Sequence, residues 1–294
     1  MNHDYPDIRI GACVDAKAAP GKTIRQLITH GFESFAMTFW GGIGDLDLGE
    51  FRDEIRSAID GSSAVISALT LFGNPLEQDE AAEFARSDWQ RLIALAPELD
   101  APLVTGFTGA LRGRPIPDSI PRLKEVYRPL LDAAGERHVR IAFENCVMGG
   151  SWKSAGINLA FLPEAFELLF EALPDDAVGL EWEPAHLIKQ GIDPIENLIA
   201  WRHRIFHLHG KDGLVRQEVL RRTGMLGSEP WFWQRYPGFG SSDWRRIIDE
   251  MRFIGYTGTI DIEGYHDPIL QGPREMEGML GAFDYLTTCR GRRA

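Results

Sequence analysis

The chain has 294 residues, of which 44 % are hydrophobic and 25 % are charged, a composition typical of a globular protein with a sizeable core. Its formal net charge of −12 argues against a nucleic-acid partner and favours a small-molecule one. The sequence contains no apolar run of about 18 residues, so we expect no membrane-spanning helix and no membrane partner.

The N-terminal segment and the three cysteines indicate in which cellular compartment the protein is expected. The segment MNHDYPDIRIG lacks an apolar stretch and a small-residue cleavage site, which predicts no export signal. Cys13, Cys146 and Cys289 are far apart and match no CxxC or zinc-finger spacing. Free thiols fit a reducing compartment, so the sequence predicts a cytoplasmic protein. Cys146 follows Glu144 by two positions and is also a candidate nucleophile, although small buried cysteines are common in cores.

Short apolar runs alternate along the chain with amphipathic segments whose apolar residues recur three and four positions apart. The apolar runs predict strands at IRIGACV (8–14), FESFAMTF (32–39), AVISALTLF (64–72), PLVTGF (102–107), VRIAFENC (139–146), AVGLEWE (177–183), RIFHLHG (204–210) and TGTIDIE (257–263). The amphipathic segments predict helices at TIRQLITHG, EFRDEIRSAID, SDWQRLIALAPEL, LKEVYRPLLDAAGERH, PEAFELLFEAL, DPIENLIAWRH and DWRRIIDEMRFIG.

This alternation has the strand and helix count of an α/β protein with a (β/α)₈ TIM barrel. A doubly wound sheet usually carries GxGxxG after its first strand, and ACVDAKAAPGKT lacks it. Because no long linker interrupts the pattern, we expect a single domain over residues 1–294. A C-terminal helix at about 273–290 would close the barrel, and residues 224–244 would form a lid loop.

Polar side chains occupy the inward positions of the last four predicted strands. Alternate residues of a barrel strand point inward, and chemistry gathers at the C-terminal strand ends. These inward positions carry Glu144, Glu181, Glu183, His207, His209, Asp261 and Glu263. The four that share the C-terminal rim are Glu144, Glu183, His209 and Glu263.

Three carboxylates at one rim repel each other unless a cation lies among them. Carboxylate oxygens with one imidazole suit Mn²⁺, Mg²⁺, Co²⁺ or Zn²⁺, so we predict one divalent metal ion, with Mn²⁺ favoured. Glu181, His207 and Asp261 would lie beneath the ligands and fix their orientation through hydrogen bonds. Any single inward glutamate can instead be a salt-bridged core residue, and a satisfied core histidine is the favoured reading of His207.

Further side chains are candidates for contacting a substrate. His186 and Lys211 point toward the same rim, although each can instead be a solvated side chain. Aromatic rings can wall a pocket or stack on a sugar ring, and they are equally plausible as core residues. Those near the predicted strand ends are Trp40, Phe72, Phe107 and Trp152. The aromatic segment GMLGSEPWFWQRYPGFGSSDW (224–244) can act as a lid or pack on its own helices or on another subunit.

The segments GLEWEPAHL, IAFENC, FHLHGKD and GTIDIEGYHDP resemble the sugar phosphate isomerase/epimerase family, the xylose isomerase-like barrels related to family 2 AP endonucleases. The resemblance extends from about Ile8 to about Arg290. It implies that Glu144, Glu183, His209 and Glu263 are the metal ligands and that His186 contacts substrate. Glu183 stands where aspartate is the more usual ligand, which bears on the identity of the metal. The family also implies a homo-oligomer, either a dimer or a tetramer.

The implied chemistry is proton transfer next to a carbonyl through a metal-stabilised enediolate, with Glu144 and Glu263 as the acid/base pair. This chemistry would isomerise or epimerise a sugar or keto-sugar. The substrate is expected to be unphosphorylated, because the rim has no arginine cluster or phosphate-binding nest. Loss of a β-substituent would instead make a lyase, dehydratase or hydrolase acting on a 3-keto-glycoside or an inosose.

Two other classes fit the sequence less well. A nuclease would need further histidines in ALTLFGNP and VTGFTGAL and a basic face. A barrel that only binds sugar would usually have lost one of the ligands.

Overall fold

The computed structural model describes residues 7–291. Residues 1–6, in the segment where no export signal is expected, lie outside the described part, as do residues 292–294. Among the described residues, no helix combines the length and the apolar character needed to cross a bilayer.

Eight parallel strands close into a barrel, which confirms the predicted fold. Their order around the barrel is β1-β10-β7-β6-β5-β4-β3-β2. The barrel strands are β1 (Arg9–Asp15), β2 (Ser34–Trp40), β3 (Val65–Phe72), β4 (Leu103–Gly106), β5 (Arg140–Glu144), β6 (Val178–Trp182), β7 (Ile205–Gly210) and β10 (Thr259–Ile262). Each coincides with one of the predicted apolar runs, with ends that differ by a residue or two.

Most helices follow the predicted segments, the short helices α6 and α8 have no predicted counterpart, and several helices begin at capping residues. Asp47 accepts hydrogen bonds from the first turn of α2, Asp79 from that of α3 and Asp193 from that of α7. The helices are α1 (Pro20–Thr29), α2 (Leu48–Ile59), α3 (Glu80–Leu95), α4 (Ile120–Gly135), α5 (Pro163–Ala172), α6 (Pro184–Lys189), α7 (Pro194–Trp201), α8 (Gln217–Thr223), α9 (Trp244–Phe253) and α10 (Glu275–Arg290).

The segment after β7 differs from the predicted uninterrupted loop. Strand β8 (Asp212–Val215) pairs antiparallel with β9 (Phe232–Arg235), and α8 lies between them in the chain. Tyr236 and Trp244 are fully buried, and Trp244 begins α9. Residues 224–244 are therefore not a loop throughout, because cross-strand pairing and core packing hold part of the segment. A lid function for this segment stays a prediction.

The chain forms two compact units. Among the described residues, unit 1 comprises residues 7–12, Glu183–His203 and residues 208–291, and unit 2 comprises Cys13–Trp182 and Arg204–His207. In unit 2, β6 needs a glycine at position 179, because an added Cβ would lie 2.5 Å from the backbone oxygen of Arg204 and from the ring of Phe206. This close approach explains an otherwise unfavourable glycine in a strand interior.

Candidate metal centre and active site

Unit 1 brings three of the predicted ligands together. Glu183 follows β6, His209 lies in β7, and Glu263 follows β10, whose Asp261 pairs in register with His209. His209 Nδ1 lies 3.2 Å from Glu263 Oε2 and 3.8 Å from Glu183 Oε2. The three residues each offer a ligand atom within 4.8 Å of the others.

Lys211 forms a buried ion pair with one of these carboxylates. Its Nζ donates to Glu263 Oε1 at 2.9 Å, and both side chains are only 4 % exposed. Burial by itself would raise the pKa of Glu263, but the positive charge of Lys211 and the hydrogen bond with His209 hold that pKa well below its ordinary value. Glu263 is therefore ionised at neutral pH, and the solvated-lysine alternative for Lys211 is wrong.

His186 belongs to the same group of side chains. It lies in the short helix α6, and its Nε2 is 3.2 Å from Glu183 Oε1. Burial raises the pKa of Glu183 and lowers that of His186 to about 4. The imidazole is therefore neutral at pH 7. Because His186 is buried, the alternative of a solvated rim histidine is wrong.

These donors fit a divalent cation. Ligand atoms bound to one ion at about 2.0–2.2 Å lie roughly 3–3.5 Å from each other. The 3.2 Å separation between His209 Nδ1 and Glu263 Oε2 falls in this range, and the 3.8 Å separation between His209 Nδ1 and Glu183 Oε2 lies slightly above it. Two carboxylates with one imidazole also match the donor preference of Mn²⁺ and similar ions.

Unit 2 places Glu144 at the last position of β5, buried and in register with Glu181 of β6. Asn158 fixes the chain beyond this strand end, since its amide Nδ2 donates to the backbone oxygens of Glu144 and Cys146, both at 2.9 Å. Its Oδ1 accepts a 2.6 Å hydrogen bond from the Thr108 hydroxyl. Asn158 was not predicted from the sequence, because a single asparagine in a loop gives no sign of burial.

A chain of fully buried hydrogen bonds lies within unit 2 around Glu181. Its Oε1 accepts from the Thr105 hydroxyl at 2.7 Å and lies 2.7 Å from His207 Nδ1. Thr105 is in turn 2.7 Å from the Thr70 hydroxyl. His207 is thus a satisfied core histidine, as favoured above, and the two threonines are additions that the strand pattern did not reveal. The hydrogen bonds predicted from Glu181, His207 and Asp261 to the metal ligands stay a prediction.

Three of the predicted aromatic residues of unit 2, Trp40, Phe72 and Phe107, form a cluster. The ring of Trp40 stacks on Phe72 with 4.1 Å between centroids, and Phe72 lies 4.9 Å from Phe107. Cys146 packs in this cluster, as a small core residue does. Trp152 is half-buried in the segment between β5 and α5. Substrate contacts of Trp40, Phe107 and Trp152 stay predictions.

The closed parallel barrel, with carboxylates and imidazoles gathered at the C-terminal ends of its strands, defines a TIM barrel of the kind expected from the sequence. The chain belongs to the xylose isomerase-like TIM barrel family, which it matches over residues 24–287.

Several known proteins are similar to the chain. It is 25 % identical to the uncharacterized protein YfiH of Bacillus subtilis (strain 168) over 245 residues, which are 74 % of this chain and 77 % of YfiH. It is 29 % identical to an inosose dehydratase of Clostridium botulinum (strain Alaska E43 / Type E3) over 117 residues, 38 % of this chain and 39 % of that protein. That match therefore covers less than half of the dehydratase.

The crystal structure of the 3-keto-D-glucoside 4-epimerase YcjR from E. coli has the same fold. It matches with a TM-score of 0.70 and 15 % identity, covering 96 % of this chain and 100 % of YcjR. At this identity the similarity supports the fold alone.

Proposed function

We propose that the chain is a divalent-metal-dependent isomerase or epimerase that acts on an unphosphorylated sugar or keto-sugar. The observation that carries this proposal is the buried donor group of Glu183, His209 and Glu263, whose atoms have the spacing of ligands around one ion. Burying ionised carboxylates is costly unless cations compensate them, and a bound metal supplies that compensation.

Glu144 is the proposed fourth ligand. It pairs in register with Glu181, and Glu183 follows Glu181 by two residues along the chain. Positions two apart in a strand point to the same side, so the strand pattern directs Glu144, Glu181 and Glu183 toward the barrel interior.

The residues have distinct proposed roles in moving a proton beside a carbonyl. A bound divalent ion would supply Lewis-acid stabilisation of the negative charge that develops on the substrate oxygens. Glu144 and Glu263 are the proposed acid/base pair, one accepting the proton and the other returning it. The charges of Lys211 and His209 keep Glu263 in the ionised form. The neutral imidazole of His186 can exchange hydrogen bonds with a substrate hydroxyl.

Where the proton returns decides the reaction. Return to the neighbouring carbon interconverts an aldose and a ketose, whereas return to the opposite face of the same carbon gives an epimer. An unphosphorylated substrate is favoured because the ammonium of Lys211 is already bound by Glu263 at 2.9 Å. A phosphate group would have to compete with that carboxylate for it.

A metal-dependent lyase, dehydratase or hydrolase acting on a 3-keto-glycoside or an inosose is the second candidate. The similarity to inosose dehydratase favours it, and the same base would begin an elimination. Product analysis distinguishes the two, since isomerisation and epimerisation conserve the mass of the substrate while elimination releases water or an aglycone.

Elemental analysis of the purified protein tests the metal site. We expect about one equivalent of Mn, Mg, Co or Zn, lost in Glu183→Ala and retained in the control Glu83→Ala, which alters an exposed residue of α3. Solvent deuterium should then enter a keto-sugar at the carbon beside the carbonyl. No metal after reconstitution with Mn²⁺ would refute the proposal, and a multi-zinc cluster would favour a nuclease. Cytoplasmic location and the oligomeric state stay predictions.

A further inference from the structure

The residue that follows Lys211 in unit 1 is a second buried carboxylate. Asp212 begins β8 and is 1 % exposed. Among the residues that the structure describes, its oxygens accept hydrogen bonds only from neutral donors. Burial of a carboxylate is costly unless such donors compensate it, so the donors show which parts of the chain Asp212 holds together.

Most of these hydrogen bonds meet at one oxygen of Asp212. Its Oδ1 accepts from the backbone N–H groups of Gly213 at 2.8 Å, Ser241 at 3.0 Å and Ser242 at 2.9 Å, and from the Ser242 hydroxyl at 2.7 Å. Its Oδ2 accepts from the indole N–H of Trp244 at 3.2 Å. Because α9 begins at Trp244, the carboxylate joins the chain just after Lys211 to the start of that helix.

Close packing keeps Asp212 in this position. Gly240 approaches it so closely that an added Cβ would lie 2.3 Å from the carboxylate. The backbone N–H of Ser241 also donates to the backbone oxygen of Gly213 at 2.9 Å. A shift of Asp212 would therefore break several hydrogen bonds at once.

The chain on the other side of Lys211 is fixed as well. The backbone N–H of Glu263 donates to the backbone oxygen of Gly210 at 3.1 Å. Lys211 thus lies between two anchored residues, Gly210 and Asp212. A lysine has a long, flexible stem, so a fixed backbone limits the positions that its ammonium group can reach.

The ammonium of Lys211 distinguishes the two oxygens of Glu263. Its Nζ donates to Oε1 at 2.9 Å, whereas Oε2 lies 3.2 Å from His209 Nδ1. The lysine therefore holds one oxygen and leaves the other beside the proposed ligand His209. The orientation of this carboxylate consequently depends on where the ammonium group lies.

We propose that Asp212 is a positioning residue that acts through Lys211 to orient the Glu263 carboxylate. Asp212 fixes the backbone from which the lysine reaches Oε1, so that Oε2 stays directed toward the proposed metal ion. The catalytic consequence rests on the proposed function, whereas the link between Asp212 and Lys211 exists in the metal-free protein and can be tested there.

NMR spectroscopy of the metal-free full chain, labelled with ¹⁵N at the lysine ζ nitrogen, tests this link. A buried, hydrogen-bonded ammonium group exchanges its protons slowly with water, so Lys211 should give a cross-peak that is missing from Lys211→Met. Asp212→Ala should also lose this cross-peak. Asp212→Asn should keep it, because the amide oxygen can still accept the hydrogen bonds made to Oδ1.

Asp243→Ala is the matched control, since Asp243 is an exposed residue of the same segment that caps α9 through the N–H of Arg246. It should keep the cross-peak. A cross-peak that survives in Asp212→Ala, is lost in Asp243→Ala or is absent from the wild type would overturn the proposal. If Asp212→Ala fails to fold, Gly240→Ala decides, because its methyl group would displace the carboxylate and should also remove the cross-peak.

Solvent deuterium exchange into D-fructose by the manganese-loaded chain tests the catalytic consequence. We expect Asp212→Ala to slow the exchange at least about tenfold, because small errors in the placement of reacting groups are costly, and Asp243→Ala to change it less than about twofold. An unchanged rate in Asp212→Ala would refute the role of this orientation in the reaction. A wild type without metal or exchange, but with the expected cross-peaks, refutes only the proposed function. A wild type with both, whose cross-peak survives in Asp212→Ala, refutes only the positioning role.

Discussion

Replacing Lys211 with methionine removes the ammonium group that lies 2.9 Å from the Glu263 carboxylate. Both side chains are 4 % exposed, so water solvates neither charge well. At this separation and an effective dielectric constant of about 20, the attraction is roughly 6 kcal/mol. Removal of one partner from a buried pair typically costs about 3–5 kcal/mol, because the other charge stays buried. We expect Lys211→Met to lower the free energy of unfolding of the metal-free protein by about this amount.

Urea unfolding at pH 7 measures the effect, first with a chelator and then with excess Mn²⁺. A cation bound beside Glu263 would replace the lost ammonium charge, so the deficit of Lys211→Met should shrink in Mn²⁺. The control Lys124→Met changes an exposed lysine of α4 and should shift the unfolding free energy by less than about 0.5 kcal/mol. A metal-free Lys211→Met as stable as the wild type would refute the argument that this pair stabilises the buried carboxylate.

Three further substitutions test other parts of the structure by urea unfolding. Thr105→Val deletes the hydroxyl that donates to Glu181 at 2.7 Å and should cost about 1–3 kcal/mol, because it leaves buried polar atoms with fewer partners. Gly179→Ala should cost about 1–3 kcal/mol, since its methyl group would lie 2.5 Å from a backbone oxygen. Burial by itself would raise the pKa of Asp267, but hydrogen bonds from backbone N–H groups and from Arg235 hold it below its ordinary value. The ionised carboxylate therefore stabilises the fold above its unfolded pKa of about 3.9. This contribution is lost as the pH falls through the lower folded-state pKa. Asp267→Asn should consequently be less stable than the wild type at pH 6 by about 2 kcal/mol and approach it in acid.

Each of these three substitutions has a control substitution, and each prediction would be contradicted by a specific result. Thr288→Val and Asp176→Asn change exposed side chains and should have small effects. Gly135→Ala adds a methyl group where no heavy atom lies within 4 Å apart from the adjacent residues and the backbone of its own helix. Thr105→Val or Gly179→Ala variants as stable as these controls would contradict the hydrogen-bond chain or the close approach in β6. A stability difference for Asp267→Asn that does not change with pH would contradict the role of its charge.

Local periodicity was sufficient to predict the barrel and the direction of its polar side chains. In β7 the alternation of Phe206 and Leu208 with His207 and His209 repeats every two residues, and that repeat follows from the strand backbone alone. The same rule placed Glu263 two residues beyond Asp261, which pairs in register with His209. These inferences needed no knowledge of which residues meet across the fold.

Features that depend on partners distant in the chain could be found only in the tertiary structure. Asn158 is recognised as a support of the β5 end only because it forms a hydrogen bond with Thr108, 50 residues away. Thr105 is recognised as a partner of Glu181 only because the two form a hydrogen bond across 76 residues. The β8–β9 hairpin was missed for a related reason, since α8 separates its strands and no short turn signals their pairing. The sequence determined which way each strand directs its side chains, whereas folding decided which buried polar groups found partners, because a hydrogen bond between distant residues leaves no periodic pattern along the chain.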